Sequence, residues 1–317
     1  MRFRLRTLFC LIFVCAACCA WPAHVLRLWH TEQVTLERLR QIYDINIYWR
    51  HGEATITDRF LSKVLNRPIN FVESVHISQN DLKQSDLDVV ASLKSVRNLS
   101  FSSNRMAIDG DANPTVCRSV TEIVFNTVSG VTAQATKAFV SRFPNVATIR
   151  FLHTDATDEI FVELGKLRHV RELDFSMSPI RGHGATNLRS CGDTLRTLNL
   201  SDTQFDNQGL VEISDITSLR ILHLHSTAVS DDGINALRRL QNLKFIDIGW
   251  TNVTSAGILE LSELKHLTDI LRGNIPIPFD QREKVSKMLP NCNFAPVLSE
   301  EIIREMIPSA EAEQPPK

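Results

Sequence analysis

The sequence predicts an α/β solenoid, a curved stack of repeats with parallel strands on its concave face and helices or helical turns on its convex face. Two observations carry this prediction. Pairs of apolar residues separated by one position recur eight times, and apolar residues three positions apart follow the pairs in the clearest copies. The pairs begin at positions 75, 99, 123, 149, 173, 198, 222 and 246, and a worn ninth copy begins at Ile270, where Arg272 replaces the second apolar residue. A period held this closely predicts about nine 24-residue repeats.

We call the first residue of each copy a strand anchor. The nine strand anchors are Val75, Leu99, Ile123, Ile149, Leu173, Leu198, Leu222, Ile246 and Ile270. Alternate side chains of a strand point to the same face, so both members of each pair are expected to point inward. Because each repeat then has a strand on one side and a helical turn on the other, the repeats are wedges and the stack curves.

A small polar residue follows most strand anchors five positions later. We expect its hydroxyl or amide to bond the turning backbone, which would otherwise bury unpaired polar groups. These residues are Asn80, Asn104, Thr154, Ser178, Thr203, Thr227 and Thr251. The third copy departs from the pattern, because Val128 occupies this position and Gly130 occupies the next apolar one.

These positions resemble the leucine-rich repeat, in the variant L-x-x-L-x-L-x-x-T-x-[VI]-[ST]-D-x-G-[LI]-x-x-L. The resemblance covers about residues 71–295, and it implies a horseshoe-shaped solenoid. Residues 105–118 depart from it, because they lack the D-x-G signature. The Arg-rich start, the single hydrophobic segment and Leu-Pro-Asn-Cys at 289–292 also resemble a group of membrane-anchored bacterial leucine-rich-repeat proteins without assigned biochemical function.

The chain begins with a basic and then apolar segment. Arg2, Arg4 and Arg6 precede the apolar run 8–21, an order typical of an export signal. We favour an uncleaved single-pass membrane anchor, because the match to a cleavage site is poor. A cleaved signal that releases a secreted form, and a lipoprotein-type signal that uses Cys18, stay open. The leading arginines predict that the N-terminus stays inside, which places the repeats outside the cytoplasm.

The repeats need caps at both ends, because the terminal coils would otherwise expose the core. For the N-terminal cap we expect an amphipathic helix with Val34, Leu36, Leu39 and Ile42 on its apolar face, a strand over 45–49, and a second helix ending near 66–68. The predicted divisions are a signal or membrane anchor at 1–29, an N-terminal cap and spacer at 30–70, the solenoid at 71–275, a C-terminal cap at 276–308 and a disordered tail at 309–317.

Composition and motifs argue against several function classes. The chain has 35 Lys and Arg against 36 Asp and Glu, and this balance argues against a nucleic-acid binder. Four of its seven cysteines lie in the apolar segment, and Cys117 and Cys191 fall where clean repeats place a core leucine. The chain has no phosphate-loop, dinucleotide-binding, serine-nucleophile or zinc-protease motif. We therefore predict no enzymatic activity, no cofactor and no metal.

The concave face is the predicted binding surface. Side chains flanking the inward positions point away from the core, and neighbouring repeats bring them to about 4.8 Å spacing. The candidate partner-binding residues are Arg150, Asp174, Asn199, His223, His225 and Asp247 on this face, with Trp250 at the rim. A metal site or a His–Asp acid–base pair at His223, His225 and Asp247 is geometrically possible, but we favour a polar lining that binds a partner.

The leading hypothesis is a non-enzymatic scaffold, anchored to a membrane, that binds a protein or peptide and is itself a monomer. Charge reversal at Arg150 or Asp247 is then expected to weaken binding without unfolding the protein. One alternative is a structural cell-envelope protein that self-associates. Another is a substrate adaptor of the ubiquitin-ligase type, because similar repeats occur in F-box receptors. That adaptor would need an F-box helix set in the region 1–70, where the hydrophobic segment lies.

Overall fold

A computed structural model describes residues 5–41, 43–49, 72–78, 81–108, 114–273, 275–294 and 302. The described strands are β1 Asp44–Trp49, β2 Val72–Ser78, β3 Asp81–Lys83, β4 Asn98–Ser102, β5 Arg105–Ala107, β6 Glu122–Asn126, β7 Thr148–Leu152, β8 Glu172–Asp174, β9 Thr197–Asn199, β10 Ile221–His223, β11 Phe245–Asp247 and β12 Asp269–Leu271. Ile42, Asn80, the predicted helix ending near 66–68 and the predicted tail at 309–317 lie outside the described residues.

Ten of these strands form one sheet in the order β1-β2-β4-β6-β7-β8-β9-β10-β11-β12, and β3 pairs with β5 separately. From β2 to β12 every pairing in the large sheet is parallel. Each of the nine strand anchors lies directly beside the next, and none is more than 5% exposed. The two longer intervals, from 123 to 149 and from 173 to 198, leave this register intact, so the additional residues lie outside the strands. The predicted solenoid fold is therefore confirmed.

Helices and helical turns follow the strands on the opposite side of the repeats. The described α-helices are α1 Leu5–Arg40, α2 Gln84–Ala91, α3 Ala133–Arg142, α4 Phe161–Leu164, α5 Asn207–Ile213, α6 Asp231–Ile234, α7 Ser255–Glu260 and α8 Phe279–Met288. Short 3-10 helices cover Asp158–Ile160, Ala185–Cys191, Asn235–Arg239 and Leu261–Glu263. They bury apolar residues at helical spacing, for example Ile258 and Leu261 near the end of the stack.

The core is continuous from repeat to repeat. Phe101, Phe125, Phe151 and Phe175 stack along it with successive ring centroids 5.5, 5.1 and 5.5 Å apart. These rings occupy the second inward position of their strands, which the apolar pairs in the sequence predicted. Such offset contacts add to the free energy gained by burying the rings.

The small polar residues after the strands bond the backbone as predicted. The hydroxyls of Thr203, Thr227 and Thr251 each donate to the carbonyl oxygen three residues earlier, at 2.6, 2.7 and 2.6 Å. The hydroxyls of Thr154 and Ser178 lie 2.9 Å apart and link two repeats. These bonds satisfy backbone groups inside the coil, where water does not reach.

Cys117 and Cys191 fill the core as predicted. They are 1% and 2% exposed, and both are free thiols. Burial raises the pKa of the Cys191 thiol to about 11, so it stays protonated at neutral pH. Both side chains pack in the core of the solenoid, and packing is their role.

The N-terminal cap covers the first edge of the sheet. Strand β1 pairs antiparallel with β2, as expected for a strand over 45–49. Leu36 and Leu39 of α1 are buried, and Glu32 accepts hydrogen bonds from the backbone N–H and hydroxyl of Ser95, both at 2.7 Å. The prediction for Val34 was wrong, because its side chain is 57% exposed. Val34 lies two positions after Glu32 and two before Leu36. Residues two positions apart lie on opposite sides of an α-helix, so Val34 faces away from both.

Helix α1 runs without a break from Leu5 to Arg40, and the predicted division between 1–29 and 30–70 falls inside it. Within the described residues, no helix is both long enough and apolar enough to cross a membrane. At the other end, α8 packs through Val285, and Asn293 forms a single parallel bridge with Asp269 of the last strand.

Candidate binding surface

Three rows of side chains cross the concave face, because every second strand residue points out of the core. The first row is Ser74, Asn98, Glu122, Thr148, Glu172, Thr197, Ile221, Phe245 and Asp269. The second row is His76, Ser100, Val124, Arg150, Asp174, Asn199, His223, Asp247 and Leu271. Sequence analysis identified the part of the second row that runs from Arg150 to Asp247. It missed the first, although alternation alone places these residues two positions before the second row.

The third row follows at the end of the strands. It begins with Ser78, Ser102, Asn126 and Leu152, which are paired in register. Ser176, Ser201, His225 and Gly249 continue it beyond the shorter strands, and backbone hydrogen bonds of 2.8–3.1 Å join these turns. Five of the seven candidate residues, from Arg150 to Asp247, therefore lie in one line across five adjacent strands, with His225 one row away.

Arg150 is held in place by two carboxylates from the first row. Its guanidinium bonds Glu172 on the next strand at 2.9 Å and also bonds Glu122 on the preceding strand. Burial lowers the pKa of Arg150, and the two carboxylates more than offset that effect, so its pKa is raised overall. The three groups together carry a net charge of −1. Arg150 is therefore a bridging residue within a weakly acidic patch.

Asp174 and Asn199 form the next part of the line. Asp174 accepts hydrogen bonds from the backbone N–H and the hydroxyl of Ser176, at 2.8 and 2.7 Å. Its second oxygen accepts the side-chain N–H of Asn199 at 3.0 Å. The side-chain oxygen Oδ1 of Asn199 in turn accepts a hydrogen bond from the backbone N–H of Ser201 at 3.0 Å. These bonds fix both side chains before any partner arrives.

The two histidines lie in different surroundings. The ring of His223 packs on Phe245 with centroids 5.0 Å apart, and burial lowers its pKa, although Asp247 and Asp174 act in the opposite direction. His225 is 38% exposed, and its Nδ1 atom lies 3.8 Å from a carboxylate oxygen of Asp247. That distance is too long for a hydrogen bond. In the part of the chain that the structure describes, no group of three His, Cys, Asp or Glu residues is arranged to hold a metal ion.

Trp250 stands at the rim, in the turn that ends its strand. Its backbone has φ of 57°, and residues at the same place in six other repeats share this left-handed conformation, with φ between 52° and 59°. They are Ser103, Thr127, His153, Met177, Asp202 and Ser226. The turn directs the Trp250 side chain outward, where it is 63% exposed. Met177 is 56% exposed at the equivalent place.

An open recess of about 450 Å³ lies at the N-terminal end of the concave face, and sequence analysis did not identify it. Tyr48 of β1, which is 61% exposed, contributes to its wall. His76 lies inside, and its two ring nitrogens are each 3.0 Å from a serine hydroxyl, of Ser100 and Ser102. The recess arises because β1 adds to the sheet edge, a pairing that the repeat pattern does not encode.

Comparisons with known proteins identify the repeat. A family model described as "Leucine Rich repeat" matches residues 194–214. An internalin (inlF) from Listeria monocytogenes has a similar structure, with 15% sequence identity and a TM-score of 0.50 over 68% of this chain and 58% of the internalin. An internalin C2 (inlC2) from the same organism gives 19% identity and a TM-score of 0.41 over 68% of this chain and 74% of that chain.

No curated protein matches this chain in sequence. The likeness to inlF spans less than two thirds of that internalin, and at its level of identity it shows the fold alone. The matched repeat at 194–214 therefore lies within a solenoid that has the fold of a leucine-rich-repeat structure. Solenoids of this kind present extended concave surfaces, and the scaffold is typical of protein binding.

The surroundings of Arg150 change the expectation for its charge reversal. Arg150→Glu brings a third carboxylate between Glu122 and Glu172, and we expect it to lower the free energy of unfolding by about 1–3 kcal/mol. Arg150→Met keeps most of the buried stem and should cost about 1 kcal/mol. Urea unfolding of both variants measures the difference. A glutamate variant as stable as the methionine variant would contradict the bridging role of Arg150.

Proposed function

We propose that this leucine-rich-repeat protein is a non-enzymatic, membrane-anchored scaffold that binds a protein or peptide partner on its concave face. One observation carries the proposal. A line of polar side chains from Arg150 to Asp247, of which Arg150, Asp174 and Asn199 are held by hydrogen bonds, lies between two exposed aromatic residues, Tyr48 near one end of the face and Trp250 near the other.

The fixed side chains favour binding for an entropic reason. Ordering a mobile side chain at an interface costs about 0.5–1.5 kcal/mol. Arg150, Asp174 and Asn199 are already bonded to neighbours, so most of this cost is met when the chain folds. Their remaining polar atoms and the nearby His225 offer hydrogen bonds to a partner. The partner we expect is a protein or peptide with polar groups at strand spacing.

The exposed aromatic residues supply the apolar part of the interface. Tryptophan and tyrosine are enriched among residues whose truncation costs most in protein interfaces, because they bury a large area and keep a polar tip. Trp250 directly follows Gly249 of the third row, so a partner lying on the rows also meets its ring. We therefore expect Trp250 to contribute more binding free energy than any other candidate residue.

We predict that Trp250→Ala weakens partner binding about 30-fold or more, corresponding to at least about 2 kcal/mol. The full chain is used to capture partners from native membranes, and the amount recovered is quantified for wild type and variant. Phe279→Ala is the matched control, because this aromatic residue is 87% exposed in α8 of the C-terminal cap. Equal recovery by wild type and both variants would exclude the rim as a binding site. Recovery of the chain itself would favour the self-associating structural alternative.

Membrane anchoring forms the second part of the proposal. It is supported by the basic residues Arg2, Arg4 and Arg6 and by the apolar run 8–21 that follows them. A helix that continues from the apolar run into the cap would hold the repeats close to the membrane. With the N-terminus inside, the concave face would then meet partners outside the cytoplasm.

We expect the full chain to stay in the membrane fraction after an alkaline carbonate wash. The double variant Phe13→Arg, Val14→Arg should move to the soluble fraction, because each arginine costs about 2.5–3.5 kcal/mol in the centre of a spanning helix. Ala16→Leu is the control and should stay with the membrane. If the Cys18→Ser variant no longer stays in the membrane fraction, the protein is a lipoprotein. If the mature protein begins beyond residue 21, the segment is a cleaved signal. Wild type in the soluble fraction would overturn the anchoring proposal.

A further inference from the structure

The first row of the concave face changes character towards the C-terminus. In the middle repeats it presents Glu122, Thr148 and Glu172, which are partly exposed. Further along the same row, after Thr197, it presents Ile221 and Phe245, which are only 1% and 0% exposed. Two large apolar residues on the outer side of a sheet are buried to this extent only when another part of a protein covers them.

The structure identifies a residue that covers them. Ile302 is 0% exposed and forms an apolar cluster with Ile221 and Phe245, and Leu271 of the second row packs against that cluster. This cluster is separate from the main core of the solenoid. Ile302 follows α8 in the chain and lies within the predicted C-terminal cap at 276–308, so the cap contributes this side chain to the concave face. We call the cluster of Ile221, Phe245 and Leu271 the apolar patch.

We propose that Ile302 is an internal competitor that occupies the apolar patch and limits access of a partner to the C-terminal half of the concave face. That half includes His223, whose ring packs on Phe245, and the adjacent Asp247. A partner that uses this half displaces Ile302 and presents the same chemistry, an aliphatic side chain. The inference rests on the proposed binding function of the concave face.

The competition has a measurable consequence. A segment on the same chain acts at an effective concentration near millimolar, so it strongly reduces binding of an identical segment added from outside. The probe is a fluorescent synthetic peptide with the sequence of residues 296–308, and its binding to the full-length protein in detergent micelles is measured by fluorescence anisotropy. Ile302→Asp in the protein places a charge in the apolar cluster and should release the internal segment.

We expect the Ile302→Asp protein to bind the peptide at least tenfold more tightly than wild type. The matched control Val211→Asp, which introduces the same charge at a residue 53% exposed on α5, should bind the peptide as weakly as wild type. A peptide carrying aspartate at the position of Ile302 should not bind. Adding Leu271→Ala to the Ile302→Asp protein should weaken peptide binding about fivefold, because it removes part of the patch.

Equal peptide affinity of wild type and Ile302→Asp would overturn the proposal, as would absence of binding to an Ile302→Asp protein whose unfolding midpoint matches wild type. If that variant unfolds, Ile302→Ala replaces it, with the same expected order of affinities. The outcome is independent of the capture experiment. If the Ile302→Asp protein binds the peptide tightly and Trp250→Ala leaves partner capture unchanged, the internal competitor stands and the proposed rim site is rejected. If the peptide does not bind and Trp250→Ala weakens partner capture, only the competitor is rejected.

Discussion

The parallel backbone ladder of the large sheet is the constraint on which the rest of the structure depends. Its hydrogen bonds require each strand anchor to lie beside the next, and all nine do so although two of the intervals between them are longer than the others. Once the register is set, one set of side chains enters the core and the other forms rows about 4.8 Å apart. A binding surface of this kind follows from the same pairing that stabilises the fold.

The rows also explain why the concave face is ordered in the absence of a partner. Charged and polar side chains at this spacing reach their neighbours, so Arg150 joins two carboxylates and Asp174 joins Ser176 and Asn199. These bonds reduce the entropy lost on binding, but they also occupy some of the polar atoms that would contact a partner. Recognition therefore depends on the remaining atoms and on the exposed rings at the edges.

Most of the fold was predictable from the sequence, and less of the surface was. The strand anchors, the threonine bonds and the buried Cys117 and Cys191 all follow from a repeat pattern that a single sequence displays. Contacts that involve elements outside the repeats cannot be predicted from that pattern. Nothing in the repeats signals that β1 forms a recess with Tyr48, or that Ile302 returns to Ile221 and Phe245, because these contacts join residues far apart in the chain. The helix pattern of the cap likewise placed Val34 on the wrong face.

Side-chain footprinting with hydroxyl radicals, on the full chain alone and with its captured partner, tests the central claim most directly. Tyr48, His225 and Trp250 report on the concave side, and Val211 and Phe279 report on the helix α5 and on the C-terminal cap. The account predicts that the partner protects the first three residues and leaves the last two unchanged. Protection of Val211 or Phe279, with Tyr48, His225 and Trp250 as reactive as in the free protein, would contradict it.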